Sequence, residues 1–275
     1  MRIHNQNFNI KQIADSGQCF RMKQIDKDRY GLIAYGKYLE LSQISSDIVE
    51  LSCSEDEFYE IWEDYFDLKY DYGKIVEQLS NGEDQFLREA ATYGKGIRIL
   101  KQEPFEAMIS FIISQNKNIP AIKNCIEGIC NQYGTKKVSV DCKEVSYVTF
   151  PSADVLAKAD KDVLRSLKTG YRDEYILQAS KAIVKGNLNL EKLKYVSYQD
   201  AVCELKKIHG IGEKVANCIA LYGLHHIEGF PIDVWILRVL KEIYNNQFLF
   251  DQFKGFAGIV QQYMFYYMRY LKGVA

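Results

Sequence analysis

Residues 205–223, LKKIHGIGEKVANCIALYG, constrain the fold more than any other stretch: one helical pattern stops and another starts across His209-Gly210-Ile211-Gly212. Glycines at 210 and 212 open backbone conformations closed to other residues, so two helices can meet there in a tight hairpin. The second helix then begins with unpaired N–H groups and the positive end of its dipole, which together accept an anion without any basic side chain. Spacing alone leaves two readings open: an anion-binding hairpin, or a plain joint between packed helices.

The surroundings of the hairpin are helical. EDEFYEIWEDYFDL, from about residue 55, sets Phe58, Ile61, Trp62 and Tyr65 at spacings of three, four and seven, one face of a helix. FEAMISFIISQ, IPAIKNCIEGICNQYG, ADVLAKADKDVLRSLK, DEYILQASKAIVKG, YQDAVCELKKI, EKVANCIALYGL and VWILRVLKEIYNN follow as short amphipathic helices. Strand signals largely disappear after about residue 55, and the first 45 residues are rich in Tyr, Leu, Ile and turn signals. There RYGLIAYGKYLELSQ places apolar and aromatic residues on both sides of Gly36-Lys37 and reads as a β-hairpin. The fold class is α+β, mainly α: a small N-terminal antiparallel β domain over residues 1–95, then a helical domain built around the hairpin over residues 96–275. No internal repeat and no phosphate-binding G-x-x-x-x-G-K-S/T loop is present, so nucleotide hydrolysis is unsupported.

A formal charge of −1 argues against a polyanion partner until its distribution is considered. Residues 46–90 hold 14 acids against Lys69, Lys74 and Arg88, leaving 32 bases and 22 acids elsewhere, a local surplus of ten positive charges. That asymmetry permits a polyanion site on one face. Seven scattered cysteines with no C-x-x-C pair read as reduced thiols of a cytosolic protein. The first residues lack the apolar core of a signal peptide, no run of 18 apolar residues follows, and a cytoplasmic protein without a membrane partner is expected. His225 and His226 are adjacent rather than at ligand spacing and read as a surface loop, not a metal site.

Lys214 lies just inside the second hairpin helix, and about twenty residues later GFPIDVWILRVL puts Asp233 ahead of another helix. Taken singly, Asp233 is a helix N-cap and Lys214 a solvated lysine. Taken together, HGIGEKVANCIALYG and PIDVWILRV resemble the signature of the helix-hairpin-helix DNA glycosylases. SGQCFRM, YFDLKYDY, ISFIISQNKNI, TGYRDEYI and FAGIVQQYMF, in that order along nearly the whole chain, narrow the resemblance to the 8-oxoguanine DNA glycosylase/AP lyase family.

The resemblance implies a bifunctional enzyme that excises 8-oxoguanine from duplex DNA and cuts the strand, with the target base leaving the duplex to be reached. Lys214 would be the amine that attacks C1′, and Asp233 the carboxylate that stabilises the cationic sugar and assists proton traffic. A carboxylate at close range favours the ammonium form of a lysine, so the two are expected close together but not tightly paired. Cys218 and Phe265 resemble the pair that sandwiches the flipped base, Gln261 the reader of its Watson–Crick edge, and Gly17 the glycine whose carbonyl accepts the N7 hydrogen found on 8-oxoguanine and not on guanine. Asn116, Tyr171 and Arg172 match the residues that fill the gap and meet the opposite base, while His209, Gly210, Gly212 and Trp235 match positions that grip DNA. Asn116 and Asn118 read equally well as helix caps around Pro120.

Three departures from the family stand out. Ala121 occupies the place of a second arginine that reads the opposite cytosine in eukaryotic relatives, so cytosine preference should be relaxed. Trp235 replaces a histidine that contacts phosphate, and Asp173 sets an acid beside Arg172. No organic cofactor and no catalytic metal is implied; the hairpin carbonyls are expected to be able to hold a monovalent cation, and the protein to act as a monomer. The alternatives are a non-catalytic helix-hairpin-helix DNA-binding protein and a glycosylase of another lesion class. No cysteine follows Cys218, which disfavours the iron–sulfur branch acting on pyrimidines, and Lys214 disfavours the alkyl-purine branch, which usually lacks it.

Overall fold

The computed structural model describes residues 1–142 and 144–274. Its first layer is a five-stranded antiparallel sheet of β1 (Arg2–His4), β2 (Met22–Asp26), β3 (Arg29–Ala34), β4 (Lys37–Gln43) and β5 (Ile48–Leu51), in the order β1-β5-β4-β3-β2. Alternation along these strands turns Leu32, Leu39, Leu41, Val49 and Leu51 to one buried face. The hairpin between β3 and β4 turns on Tyr35 (φ 51°) and Gly36 (φ 65°), with Lys37 already paired to Ala34. The turn thus lies one residue before the expected Gly36-Lys37, because two consecutive positive φ values are what a two-residue hairpin of matching twist requires.

Helix α1 (Ile10–Asp15) links β1 to β2, and the segment after β5 is helical throughout: α2 (Glu55–Glu57), a π-helical turn (Phe58–Trp62) and α3 (Glu63–Tyr65). Trp62, Tyr65 and Phe66 seal the sheet, and Leu100 joins the same core. Helices α4 (Tyr72–Ser80) and α5 (Gln85–Gly94) belong instead to the second, larger core. That core is filled by α6 (Pro104–Ser114), α7 (Ile119–Tyr133), α8 (Ala153–Leu156), α9 (Lys161–Leu164), a π-helical turn (Arg165–Thr169), α10 (Arg172–Val184), α11 (Leu190–Leu193), α12 (Tyr198–Lys206), α13 (Glu213–Tyr222), α14 (Val234–Glu242), a 3₁₀ turn (Phe250–Phe253) and α15 (Ala257–Leu271).

Three local expectations need correction. A second ribbon, β6 (Lys136–Val138) paired with β7 (Ser146–Val148), follows α7 although strand signals were expected to end early; its strands are three residues each, too short for alternation to register. ADVLAKADKDVLRSLK is not one helix. Asp160 accepts from the backbone N–H of Asp162 and Val163, so it caps a new helix and breaks the run. The pair His225-His226 is not a surface loop: His226 is 6% exposed with Nε2 2.9 Å from Leu193 O, and His225 Nε2 lies 3.3 Å from the buried Asp67 carboxylate. Among the described residues no group of three or more His, Cys, Asp or Glu could hold a metal, all seven cysteines are free, and no helix is long and apolar enough to cross a membrane.

Candidate active site

Helix α13 begins at Glu213 with Gly212 in the N-cap position, and no side chain caps it. The amides of its first turn are therefore left to solvent or a ligand. Gly210 has φ 89°, and a Cβ there would stand 2.1 Å from Cγ of Tyr175, whereas a Cβ at Gly212 would meet nothing within 4 Å. One glycine is thus demanded by the hairpin's own packing, and the other leaves open approach in front of the helix start. His209 is exposed, its ring edge-on to Tyr175 at 5.1 Å.

Lys214, Cys218 and Tyr222 follow at four-residue steps along α13 and so share one face. Lys214 is half-buried, with Nζ 5.9 Å from the centre of the Phe111 ring. Phe111 also stacks on Tyr222, with ring centres 5.2 Å apart and planes at 19°. Cys218 is buried, which pushes its thiol up against the pull of Lys214.

Asp233 is the N-cap of α14, and its Oδ1 accepts from the backbone N–H of Trp235 at 3.0 Å and of Ile236 at 2.9 Å. Burial raises its carboxyl above the ordinary range, while those amides, Lys214 and Arg269 pull it down. No ion pair within 4.0 Å joins it to Lys214. The capping reading of Asp233 holds: the two amides fix its carboxylate, and Lys214 is one of the charges that pull it down.

Opposite this face, Phe265 on α15 packs on the Gly17 turn. A Cβ at Gly17, where φ is 77°, would lie 3.3 Å from Phe265 Cε1. Gln261 is buried on α15; its Nε2 donates to Pro231 O at 3.1 Å and its Oε1 accepts from the Tyr222 hydroxyl at 3.3 Å. Tyr222, Phe111 and Gln262 were not singled out in the sequence. Extending the four-residue step from Lys214 through Cys218 would have reached Tyr222; Phe111 and Gln262 sit in apolar helix patterns that mark them only as core.

The hairpin joins a second cluster through Gln115. Its Nε2 donates to Gly210 O at 3.2 Å, and its own carbonyl accepts from Arg172 Nη2. Arg172 is only 5% exposed, also donates to Thr169 O at 3.0 Å, and lies over the Tyr171 ring at 4.3 Å. Its guanidinium faces backbone carbonyls, not solvent. Asn116 (φ 49°) and Tyr171 are exposed beside it, with Asn116 Nδ2 3.3 Å from the Tyr171 hydroxyl. Asn118 caps α7, accepting from Ala121 N at 2.9 Å. Asp173 does not answer Arg172; it is buried against Arg165 at 2.8 Å. Trp235 is half-buried with the Arg238 guanidinium 4.9 Å over its ring.

Two cavities lie away from this face. One of about 740 Å³ is lined by Tyr35, Glu103, Glu106, Phe150, Leu190 and Lys194 among others, and one of about 540 Å³ by Asp84, Tyr244, Phe248 and Phe253 among others. Neither contains Lys214, Asp233 or Gly17, so their size carries no weight against the convergence of named groups around α13.

A sheet layer is followed by a helical layer in which a glycine-capped hairpin leads into the helix that carries Lys214. Residues 109–248 match the HhH-GPD superfamily of base excision DNA repair proteins, and residues 1–108 match the N-terminal domain of 8-oxoguanine DNA glycosylase. An N-glycosylase/DNA lyase of Saccharomyces cerevisiae is 34% identical over 54% of this chain, and the match spans 42% of the yeast protein. A relative from Methanothermobacter thermautotrophicus is 30% identical over 74% of this chain and 72% of its own length. The solved structure of Clostridium acetobutylicum 8-oxoguanine glycosylase/lyase, in complex with double-stranded DNA containing cytosine opposite the lesion, superposes with a TM-score of 0.90 at 36% identity, covering 97% of this chain and 93% of that one. The chain belongs to the 8-oxoguanine DNA glycosylase/lyase family.

Proposed function

We propose that this protein removes 8-oxoguanine from duplex DNA and then cleaves the strand, with Lys214 as nucleophile and Asp233 as its electrostatic partner. The observation that carries this reading is the placement of Lys214: half-buried on the first turn of α13, free of an ion pair with Asp233, yet near enough to act on that carboxyl. A lysine locked in a salt bridge would be held as an ammonium, whereas attack needs a lone pair.

The proposed chemistry uses only these residues. The Lys214 amine bonds to C1′ as the bond to the purine nitrogen breaks, and the base leaves with a proton. The nitrogen lone pair then forms a protonated imine as the C1′–O4′ bond breaks, O4′ takes a proton from water to become a hydroxyl, and loss of the C2′ proton pushes out the 3′ phosphate by β-elimination. Asp233, fixed by two backbone amides, stabilises positive charge on the sugar as the base departs. Cys218 and Phe265 would take the faces of the extruded base, Gln261 its Watson–Crick edge, and the Gly17 carbonyl its N7 hydrogen. The open N-terminus of α13 with Gly210 and Gly212, beside exposed His209, would hold a backbone phosphate, with Trp235 at the neighbouring helix start. Asn116 and Tyr171 would enter the gap left in the stack. Arg172 would act by holding the Gln115 carbonyl, and with Ala121 nearby contributing no charge, preference for the opposite cytosine would be relaxed. The reading needs no cofactor, allows a monovalent cation at the hairpin, and takes the protein as a cytoplasmic monomer.

Base release and strand cutting on a duplex with a single 8-oxoguanine test it. Native protein should yield both the free base and a nicked strand, and Lys214→Gln neither. Tight binding without release by native protein would favour a non-catalytic DNA-binding role instead.

A further inference from the structure

The turn that carries Gly17 is held from several sides by buried polar groups. Gln18 Nε2 donates to Ser16 Oγ at 2.9 Å and to Arg98 O at 2.8 Å, Gln102 Nε2 donates to Gln18 O at 2.9 Å, and Arg269 Nη1 donates to Asp15 O at 2.7 Å. The contact nearest the glycine comes from Gln262 on α15, whose Nε2 donates to Ser16 O at 2.6 Å. That oxygen belongs to the Ser16–Gly17 peptide, so Gln262 fixes the plane of that peptide. Only the two backbone dihedrals of Gly17 then remain to aim its own carbonyl.

Gln262 is 1% exposed, and the other end of its amide accepts from the Tyr222 hydroxyl, whose single hydrogen lies between Gln262 Oε1, the nearer acceptor, and Gln261 Oε1 at 3.3 Å. Tyr222 is itself buried, stacked on Phe111, and two helical turns from Lys214 on the same face of α13. A continuous buried link therefore runs from the lysine helix through Tyr222 and Gln262 to the peptide bond of Gly17. An amide is the side chain that suits this position, because it accepts from a phenol at one end and donates to a carbonyl at the other; a carboxylate lacks the donor and a thioether serves neither partner well. A buried network of this kind rigidifies when every member is satisfied and loosens when one is not.

We propose that Gln262, oriented by Tyr222, is a positioning residue for lesion discrimination: it sets the Gly17 carbonyl at a fixed place relative to Lys214, so that the N7 hydrogen of an oxidised purine is met and the bare N7 of guanine is not. This rests on the excision of 8-oxoguanine proposed above. A structural role alone would affect every reaction of the protein equally. A positioning role affects the reaction in which a base must be read.

The test compares single-turnover excision of 8-oxoguanine with cleavage of a duplex that already contains an abasic site and so presents no base. The variants are Gln262→Met, Gln262→Glu and Tyr222→Phe in the full chain. Excision should fall about tenfold or more for Gln262→Met and Gln262→Glu, by at least five times the factor lost in abasic-site cleavage, with Tyr222→Phe, which also frees Gln261, shifted the same way. If Gln262→Met fails to fold, judged by its melting temperature, Gln262→Glu decides, since it keeps the size and the acceptor of the side chain and removes only the donor to Ser16 O. Equal losses in the two reactions, or unchanged excision, overturn the positioning role alone. Native protein that cuts abasic DNA but releases no 8-oxoguanine overturns the lesion assignment and this proposal with it.

Discussion

Phe265 rests directly on Gly17: a single added carbon at that glycine would come within 3.3 Å of Cε1 and 3.4 Å of Cζ of the ring. The turn near the N-terminus and the last helix of the chain thus form one wall. With φ at 77°, any side chain at position 17 is strained as well as crowded. Gly17→Ala should lower unfolding free energy by about 1–2 kcal/mol in denaturant titration, and should reduce 8-oxoguanine excision about tenfold or more in single-turnover assays. Wild-type excision by this variant would separate Gly17 from base recognition.

The two hairpin glycines should behave differently. Gly210→Ala drives a carbon into the Tyr175 ring at a positive φ, and should cost about 2–4 kcal/mol of stability. Gly212→Ala has φ −87° and open space before it, so stability should change by less than about 1 kcal/mol while affinity for duplex DNA falls and its salt dependence shifts. Melting curves and binding isotherms at two salt concentrations check both. A strongly destabilised Gly212→Ala would mean that this glycine serves the fold, not a phosphate.

Burial raises the Asp233 carboxyl above its ordinary 3.8, in spite of two backbone amides, Lys214 and Arg269. The ionised form is the one that stabilises a cationic sugar, so excision should fall as pH drops through this raised value, with the acid limb above 3.8. Asp233→Asn keeps a capping oxygen for α14. It should therefore fold and bind damaged duplex, release base at least about a hundredfold more slowly, and lose the acid limb. An unchanged limb would assign it to another group.

Glu106 on α6 lines the 740 Å³ cavity, and burial pushes its carboxyl up to about 8 against the pull of Arg21. Between its ordinary 4.5 and 8 the folded protein keeps a proton that the unfolded chain releases, so this group's contribution is full below pH 4.5 and is lost as pH rises toward 8. Access from the cavity moderates the effect. Glu106→Gln should raise stability more at pH 8 than at pH 5, by up to about 2 kcal/mol in denaturant unfolding. An equal change at both pH values would show that Glu106 ionises normally.

Much of the architecture was legible because its signals are local. The His209–Gly212 turn, the Asn118 cap and the Asp233 cap each rest on conformational or hydrogen-bonding preferences of a few residues, and the order sheet-then-helices follows from a change of hydrophobic period. What was not legible depends on partners distant in the chain. Gln262 meets Ser16 across 246 positions, His225 meets Asp67 from a distant part of the chain, and Asp173 turns to Arg165 rather than to its neighbour Arg172. Helices α4 and α5 pack with the C-terminal helix core rather than the sheet, which periodicity cannot reveal because it reports that a face is buried without saying against what.

The central claim is that the amine of Lys214 forms a covalent imine with DNA. Native protein incubated with an 8-oxoguanine duplex and reduced with borohydride should give a stable protein–DNA adduct whose mass maps to the peptide containing residue 214, and Lys214→Gln should give none. An adduct mapped to any other residue, or undiminished trapping by Lys214→Gln, would contradict the account.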